Sequence, residues 1–475
     1  MRNKLQVFIL LISMAWIASS CLDDNEYEYE YPNDTAITAF SLGTVDRYVH
    51  TLSSKGEDSV YTEDVDGSEY KFYIDQVKKI IYNPDSLPKG CDATRILATI
   101  SSKNSGVIGI KDTKSDSIAA YSSSDSIDFS VPREIRAYNV TGTAYSAYTV
   151  TVNVHKEDPD SFGWHTLAQN NAELAALAQA KAVSVNERIY LFGIDATNNL
   201  HIYATNITDG VEWEEVTPYV SLSPNASQNA ISFNGYIYTL TNYTLTNGMT
   251  GTNLMRSTDA KTWETIKEAT EATELTCLAG ASSRYLYALT PTGISVSKDE
   301  GFTWEAEPID TDATFLPSAE ISLAYTENLV NEETEHLLLM GRPATSEGQE
   351  SSTVWTKVQE YAEGSENQPW SYVVYDRGDK FKAPYGRQFL ATAYRGGFEA
   401  LHCDSDSLLV SMDKGVTWRK DSVGLPTGFN GAHNFAFVKD GQNYLWIISV
   451  DGVGSVWKGR HNSEGWIKEE TAFED

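Results

Sequence analysis

From about residue 35 onward the chain is built of short runs in which apolar and polar residues alternate. ITAFSLG, YKFYIDQVKKIIYN, RILATISS, GVIGIK, SIDFSVP and SAYTVTVNVH follow one another up to residue 156. A period of two puts one side of each run in a core and the other in water, and the β-branched content suits a pleated surface. These runs predict strands, and their spacing predicts an immunoglobulin-like β-sandwich over residues 35–156. IYNPDSLPKG, with two prolines and a glycine, reads as a loop between two of them. A small carbohydrate-binding or docking module is the functional alternative for this part. HKEDPDS at 155–161, charged and proline-containing, reads as a domain joint.

Beyond the joint the pattern becomes periodic. Tryptophans stand at 164, 213, 263, 304, 370, 418 and 466, about 50 residues apart, a spacing that suits a four-stranded propeller blade. The third unit spells this out as LTCLAGAS, RYLYALT, GISVSKD and FTWEAEP, and the fifth as FLATAY, FEALHC, SLLVSMD and VTWRKDS. The first gives AVSVNE, IYLFGI, LHIYATNI and EWEEVT; the second AISFNG, YIYTLTN, NLMRSTD and TWETIK. The fourth, ISLAYTEN, HLLLMGR, TVWTKVQ and WSYVVYD, carries longer polar inserts, and the sixth runs HNFAFVKDG, YLWIISV, GSVWKGR and GWIKEE. The expected fold is all-β: the sandwich followed by a six-bladed β-propeller over residues 160–475, with a seventh blade left open. FGWHTL around Trp164 is left over, and it suits either the joint between first and last blades or a surface facing the N-terminal domain.

SKDEGFTW at 297–304 and SMDKGVTW at 411–418 fit S-x-D-x-G-x-T-W, and STDAKTW at 257–263 is a relative one residue shorter. Asp299 and Asp413 are placed to accept hydrogen bonds from their own turns. Gly301 and Gly415 are placed to take a positive φ, and Trp304 and Trp418 to bury a ring between blades. The strings resemble Asp boxes, the bacterial neuraminidase repeat. The resemblance implies a folding role on the rim away from any ligand for Ser257, Asp259, Trp263, Ser297, Asp299, Gly301, Trp304, Ser411, Asp413, Gly415 and Trp418.

The N-terminus changes the picture of location. Arg2 and Lys4, the apolar stretch LQVFILLISMAWIASS and then Cys21 have the layout of a bacterial signal peptide, residues 1–20, ending in a lipidation site. Ala18, Ser19, Ser20 and Cys21 resemble a lipobox, with Ala18 where such boxes usually carry leucine. LDDNEYEYEYPNDT lacks apolar periodicity and reads as a flexible acidic tether over residues 21–34. It resembles the export signal of surface lipoproteins in the Bacteroidota. Together with the sandwich and the repeat, the chain resembles the Bacteroidota surface-lipoprotein families of unknown function that carry a C-terminal Asp-box propeller. That resemblance implies an outer-membrane, surface-exposed location and a membrane contact made only through the lipid on Cys21.

With 36 Lys and Arg against 66 Asp and Glu, the formal net charge is −30, which opposes binding to nucleic acid or to an anionic membrane surface. Cys91, Cys277 and Cys403 are too few and too scattered for a disulfide framework, and no His or Cys spacing suggests a metal or cofactor. In EDVDGSEY, Glu63, Asp64 and Asp66 lack a regular calcium-loop spacing and read as a solvated acidic hairpin tip. RGD at 377–379 is too short to carry meaning.

Three functions fit. A sialidase or other glycoside hydrolase needs converging arginines and a set of carboxylates, but the nearest match to an Arg-Ile-Pro motif is Arg188, Ile189 and Tyr190, which lacks the proline. A non-catalytic module binding a glycan or a surface protein partner would use the loops joining second to third strands and blade to blade. Those loops offer Tyr243, Arg342, Tyr385, Arg387, Phe429 and His433, aromatic faces and guanidinium forks suited to sugars or carboxylates. The third function is a structural part of a surface complex. The binding module is the expected one.

Overall fold

The computed structural model describes residues 33–52, 58–244, 250–268, 275–328, 330–345 and 350–465. Two compact units divide at Asp158 and Pro159. In the first, a six-stranded sheet runs in the order Tyr73–Asp75, Ile80–Tyr82, Tyr145–Thr151, Arg133–Tyr138, Ile108–Lys111, Ile118–Ala120. A two-stranded sheet, Ile37–Leu42 with Ala98–Ser102, shares its core: Ile37, Leu42 and Ile100 from the small sheet pack with Ile81, Ile135 and Tyr148 from the large one. This is the immunoglobulin-like sandwich. The acidic EDVDGSEY residues are not a hairpin tip. They end a long strand, Asp58–Asp66, where Glu63 pairs with Arg47 at 2.6 Å and Asp66 caps the following turn through the Ser68 N–H at 3.0 Å.

The second unit is a ring of six four-stranded antiparallel sheets. Five blades are continuous in sequence, at 177–215, 231–267, 277–307, 317–372 and 389–424. Second strands lie between neighbouring blades and are buried on both sides, so Gly397–His402 and Leu445–Ser449 are buried throughout; LWIIS reads as a nearly continuous apolar run, whereas GFEALH carries Glu399 and His402. The sixth blade differs from expectation. Its first three strands are Phe435–Lys439, Leu445–Ser449 and Ser455–His461, and the fourth is Phe162–Ala168, from the start of the unit. The expected fourth strand, GWIKEE, lies almost wholly outside the described residues. Trp164 therefore belongs to the joint between last and first blades: it stands opposite Gly459, and its Nε1–H donates to the Gly424 carbonyl of blade five at 2.8 Å. Pairing covers the edge of Ser455–His461 that would otherwise present unpaired N–H and C=O groups.

The repeated S-x-D-x-G-x-T-W strings form closed turns between third and fourth strands. Asp413 accepts from the Thr417 N–H at 2.8 Å, the Thr417 hydroxyl at 2.7 Å and the Ser411 hydroxyl at 2.9 Å. Asp299 accepts from Thr303 N–H, the Thr303 hydroxyl and Ser297 in the same way. Gly301 and Gly415 take φ of +100° and +92°, and a Cβ on either would come within 2.6 Å of a leucine of the preceding blade. Trp304 and Trp418 donate to the carbonyls of those glycines, both at 3.0 Å. In the shorter relative, Asp259 accepts from Lys261 and Thr262, and Ala260 at φ +59° stands where the others have glycine.

Candidate functional site

First strands of the six blades surround a central channel of about 1090 Å³, in whose lining alanine and serine are the commonest residues. Small side chains keep it open, and its volume is that of a ligand site. Along the chain the lining begins on one side, the entry, with Gln179, Ser227, Glu320 and Gln388, with Lys181 and Gln228 close behind, and ends on the other, the exit, with Asn186, Gly235, Gly396 and Lys439. In an antiparallel blade, the turns joining strands one to two and three to four share one edge. The S-x-D-x-G-x-T-W turns therefore stand on the exit side, and the inter-blade connections on the entry side.

The entry mouth is sealed blade to blade. The Asn434 amide donates to the Ala178 carbonyl at 2.7 Å, Gln228 to the Gln179 side chain at 2.8 Å, and the Leu278 N–H to Asn229 at 2.9 Å. Gln388 donates to the Phe435 carbonyl at 3.0 Å and accepts from its N–H at 3.1 Å. It also donates to Glu320 Oε2 at 3.2 Å. These bonds fix the rim and leave Glu320 with a single partner.

Glu320 reaches this position through a bulge. Ala319 pairs with Arg342 and Ser322 with Met340, so Glu320 and Ile321 together face Gly341. Gly341 is needed there, because a Cβ would meet the Ala319 carbonyl at 2.7 Å. Glu320 adopts φ +53°, and among the described residues it alone combines a positive φ, a side chain and a place inside a strand. Such a conformation costs about 1–3 kcal/mol, and bulges re-aim side chains at functional sites. Burial pushes the Glu320 carboxyl above its usual range, opposed by the Gln388 hydrogen bond and by Arg342, Lys181 and Arg387. Burial also lowers Lys181 and raises Cys277.

The six expected ligand residues divide. Arg342 follows Gly341, and its guanidinium makes no hydrogen bond or ion pair among the described residues. Arg387 also acts on Glu320, but its donors are spent on Asn434 at 2.8 Å and on the carbonyls of Gly431 and His433. Phe429 is a packing residue, its ring 5.4 Å from Phe435 and 6.1 Å from Trp457. His433 is oriented by the Asp451 carbonyl, 2.8 Å from Nδ1. The Tyr385 carbonyl lies 3.3 Å from His402 Nε2. Tyr243 is exposed at the far end of its strand, in blade two. Arg188 is held by Glu214 within its own blade. His402, Cys403 and Asp404 bring ligand-type atoms within 4.8 Å of one another, yet His402 Nδ1 takes the Asp404 N–H at 3.2 Å, so both ring nitrogens serve the loop itself.

Lys181, Gln179, Gln228, Glu320 and Gln388 were not singled out by the sequence. The available signal was a charged or amide side chain inside an otherwise Ala- and Ser-rich first strand, as in LAQAKAVSV and PSAEISLAY.

Residues 158–469 match the DUF6242 beta propeller domain. The chain belongs to the DUF6242 family. Residues 40–152 match the N-terminal domain of the same family, described as a domain of unknown function. Among curated proteins none matches the chain. Solved structures similar to this DUF6242 protein include a GH93 α-L-arabinofuranosidase of Fusarium graminearum in complex with arabinobiose, at 13% identity over 63% of this chain and 99% of that one, TM-score 0.38. An auxiliary nutrient binding protein from Bacteroides ovatus aligns at 11% identity over 80% and 99%, TM-score 0.40. A PQQ-bound aldose sugar dehydrogenase from Streptomyces coelicolor aligns at 10% identity over 64% and 99%, TM-score 0.37. At such identities and scores, neither ligand nor reaction passes from these proteins to the DUF6242 chain.

Proposed function

We propose that the propeller is a non-catalytic glycan-binding module whose ligand enters the channel at the Glu320 mouth. The observation that carries this reading is the bulge: a strained glutamate is held in a hydrogen-bonded rim, at the entrance of a cavity large enough for several sugar rings. Gln179, Gln228 and Lys181 line the same entrance and suit sugar hydroxyls. Most glycoside hydrolases use two carboxyls within about 10 Å. Among the described residues, the other carboxylates lining the channel are Glu327 and Glu464, and Glu327 stands seven residues along the same strand, roughly 23 Å away at 3.3 Å per residue.

A lipid anchor at Cys21, an outer-membrane location and exposure at the cell surface belong to the same proposal. Their support is the charged, apolar and small-residue order of the first residues and the acidic stretch after them. Loss of palmitate labelling in Cys21→Ala is the expected result, and retained labelling would remove the anchor from the proposal.

The decisive test is a glycan-array screen of the mature chain with release of free sugar followed in parallel. Binding without release, lost in Glu320→Ala, is expected. Sugar release would overturn the non-catalytic reading, and silence in both channels would favour a protein partner.

A further inference from the structure

The entry mouth has a charge pattern opposite to that of the chain. The formal net charge is −30, yet the charged groups acting on Glu320 are three cations: Arg342, Lys181 and Arg387. Of these, Arg387 is spent on its own loop. Lys181 donates one hydrogen bond, to the Gln228 carbonyl at 3.1 Å, which leaves other ammonium protons for a ligand. Arg342 has no partner among the described residues.

Cations at the exit mouth are arranged otherwise. Arg395 pairs with Asp160 at 2.8 Å, and Lys439 is acted on by Glu464 and Asp440. Arg395 thus has an ion-pair partner there, whereas Lys439, like Lys181 beside Glu320, is acted on by acids without an ion pair to them among the described residues. At the entry, the acid available to two cations is Glu320, and neither makes an ion pair with it: its one hydrogen bond comes from Gln388.

Lys181 lines the cavity, and Arg342, paired through its backbone with Ala319, stands outside the lining beside Glu320; a guanidinium fork and an ammonium without ion pairs there suit a planar anion brought by the ligand. We infer that the mouth recognises an acidic saccharide, a uronic acid residue whose carboxylate is taken by Arg342 and Lys181 while Gln179 and Gln228 meet its hydroxyls. This rests on the channel-mouth reading above. Burial raises the Glu320 carboxyl above its usual range, which lessens its opposition to an incoming anion.

The test is calorimetric titration of the mature chain with galacturonate, glucuronate and mannuronate oligosaccharides. Each is compared with the same oligomer whose carboxylates have been reduced to hydroxymethyl groups, and a sulfated neutral oligosaccharide serves as a further probe. At least one uronate series should bind at least about tenfold more tightly than its reduced form, the worth of one charge-assisted hydrogen bond. Arg342→Gln should remove that preference, leave affinity for the reduced oligomer unchanged, and unfold at the parent temperature; Arg342→Lys should retain part of it, and Lys181→Met should weaken the acidic oligomer more than the reduced one. Equal affinity for acidic and reduced oligomers, both lost in Glu320→Ala, would overturn the acidic-ligand inference and leave the channel reading standing. Binding of the sulfated probe with no uronate binding would overturn the carboxylate assignment, and no binding of any saccharide would sink both readings.

Discussion

Asp413 on the exit rim and Glu320 at the entry mouth are carboxylates carried by the same repeated blade, and they are held in opposite ways. Asp413 accepts three hydrogen bonds from its own turn, and the positive φ values of that turn fall on its neighbours Lys414 and Gly415, not on Asp413 itself. Glu320 carries the positive φ itself and receives one hydrogen bond, from another blade. A polar group with every demand met by its neighbours is an element of folding. One held under strain with capacity to spare needs a reason outside the fold.

The largest effect expected of a single substitution lies at neither carboxylate. Between blades three and four, Lys357 is wholly buried, bonded to Glu307 and to Asn367. Lys357→Met strands the Glu307 charge and should cost about 3–5 kcal/mol in urea unfolding, with saccharide binding intact. Asp413→Ala comes next: three donors lose their acceptor, for a loss of about 2–3 kcal/mol and again no change in binding. A variant of either kind that kept its stability but lost its ligand would erase the contrast between rim and mouth.

Strands and turns were legible in the sequence because their causes are local. Alternation in SLLVSMD and the spacing of Asp413, Gly415 and Trp418 specify a strand and a closed turn with no knowledge of the rest of the chain. The ring's closure was half legible. Trp164 announced a fourth strand without partners, but the choice of Phe162–Ala168 over GWIKEE as the outer strand of blade six depends on which edge is left open in space. The mouth was not legible. Lys181 and Glu320 belong to the first strands of blades one and four and meet only when the ring closes, and Glu320 is turned by a register shift that leaves no mark except Gly341 opposite. Arg342 was noticed because it sits in a loop-flanking position, the one place where sequence reasoning looks for ligands.

Glu399 tests whether an ill-satisfied carboxyl is enough to mark a site. It is buried in the second strand of blade five, outside the channel lining, and one oxygen has no hydrogen-bond partner. Burial, and then Asp421, push its carboxyl up to about 9. Because the folded value exceeds the unfolded one, near 4.3, the native chain holds the extra proton. Stability is then fully present below about pH 4 and falls as pH rises toward 9. The loss should be about 2–3 kcal/mol between pH 6 and 8, and Glu399→Gln should flatten that slope in pH-dependent melts. Binding should follow the parent, since Glu399 carries no backbone strain and faces no cavity. A binding defect in this variant would mean that burial without a partner, not strain at an opening, is what marks function here.

The smallest effect on stability separates rim from mouth most sharply. In Glu320→Gly the positive φ no longer opposes a side chain, while the hydrogen bond from Gln388 is lost and Gln388 keeps both of its bonds to Phe435. Relief of strain and loss of one bond of this kind nearly cancel, so the variant should melt at or slightly above the parent temperature, a gain of at most about 1 kcal/mol. Its affinity for saccharide should nevertheless fall at least about tenfold. Neutral stability joined to lost binding is the combination that a residue kept for packing does not give, because removing such a residue opens a cavity and lowers stability. If Glu320→Gly melted several degrees lower, the bulge would be an ordinary part of the rim's hydrogen bonding, and the mouth would have no better claim to a ligand than the turns on the other side.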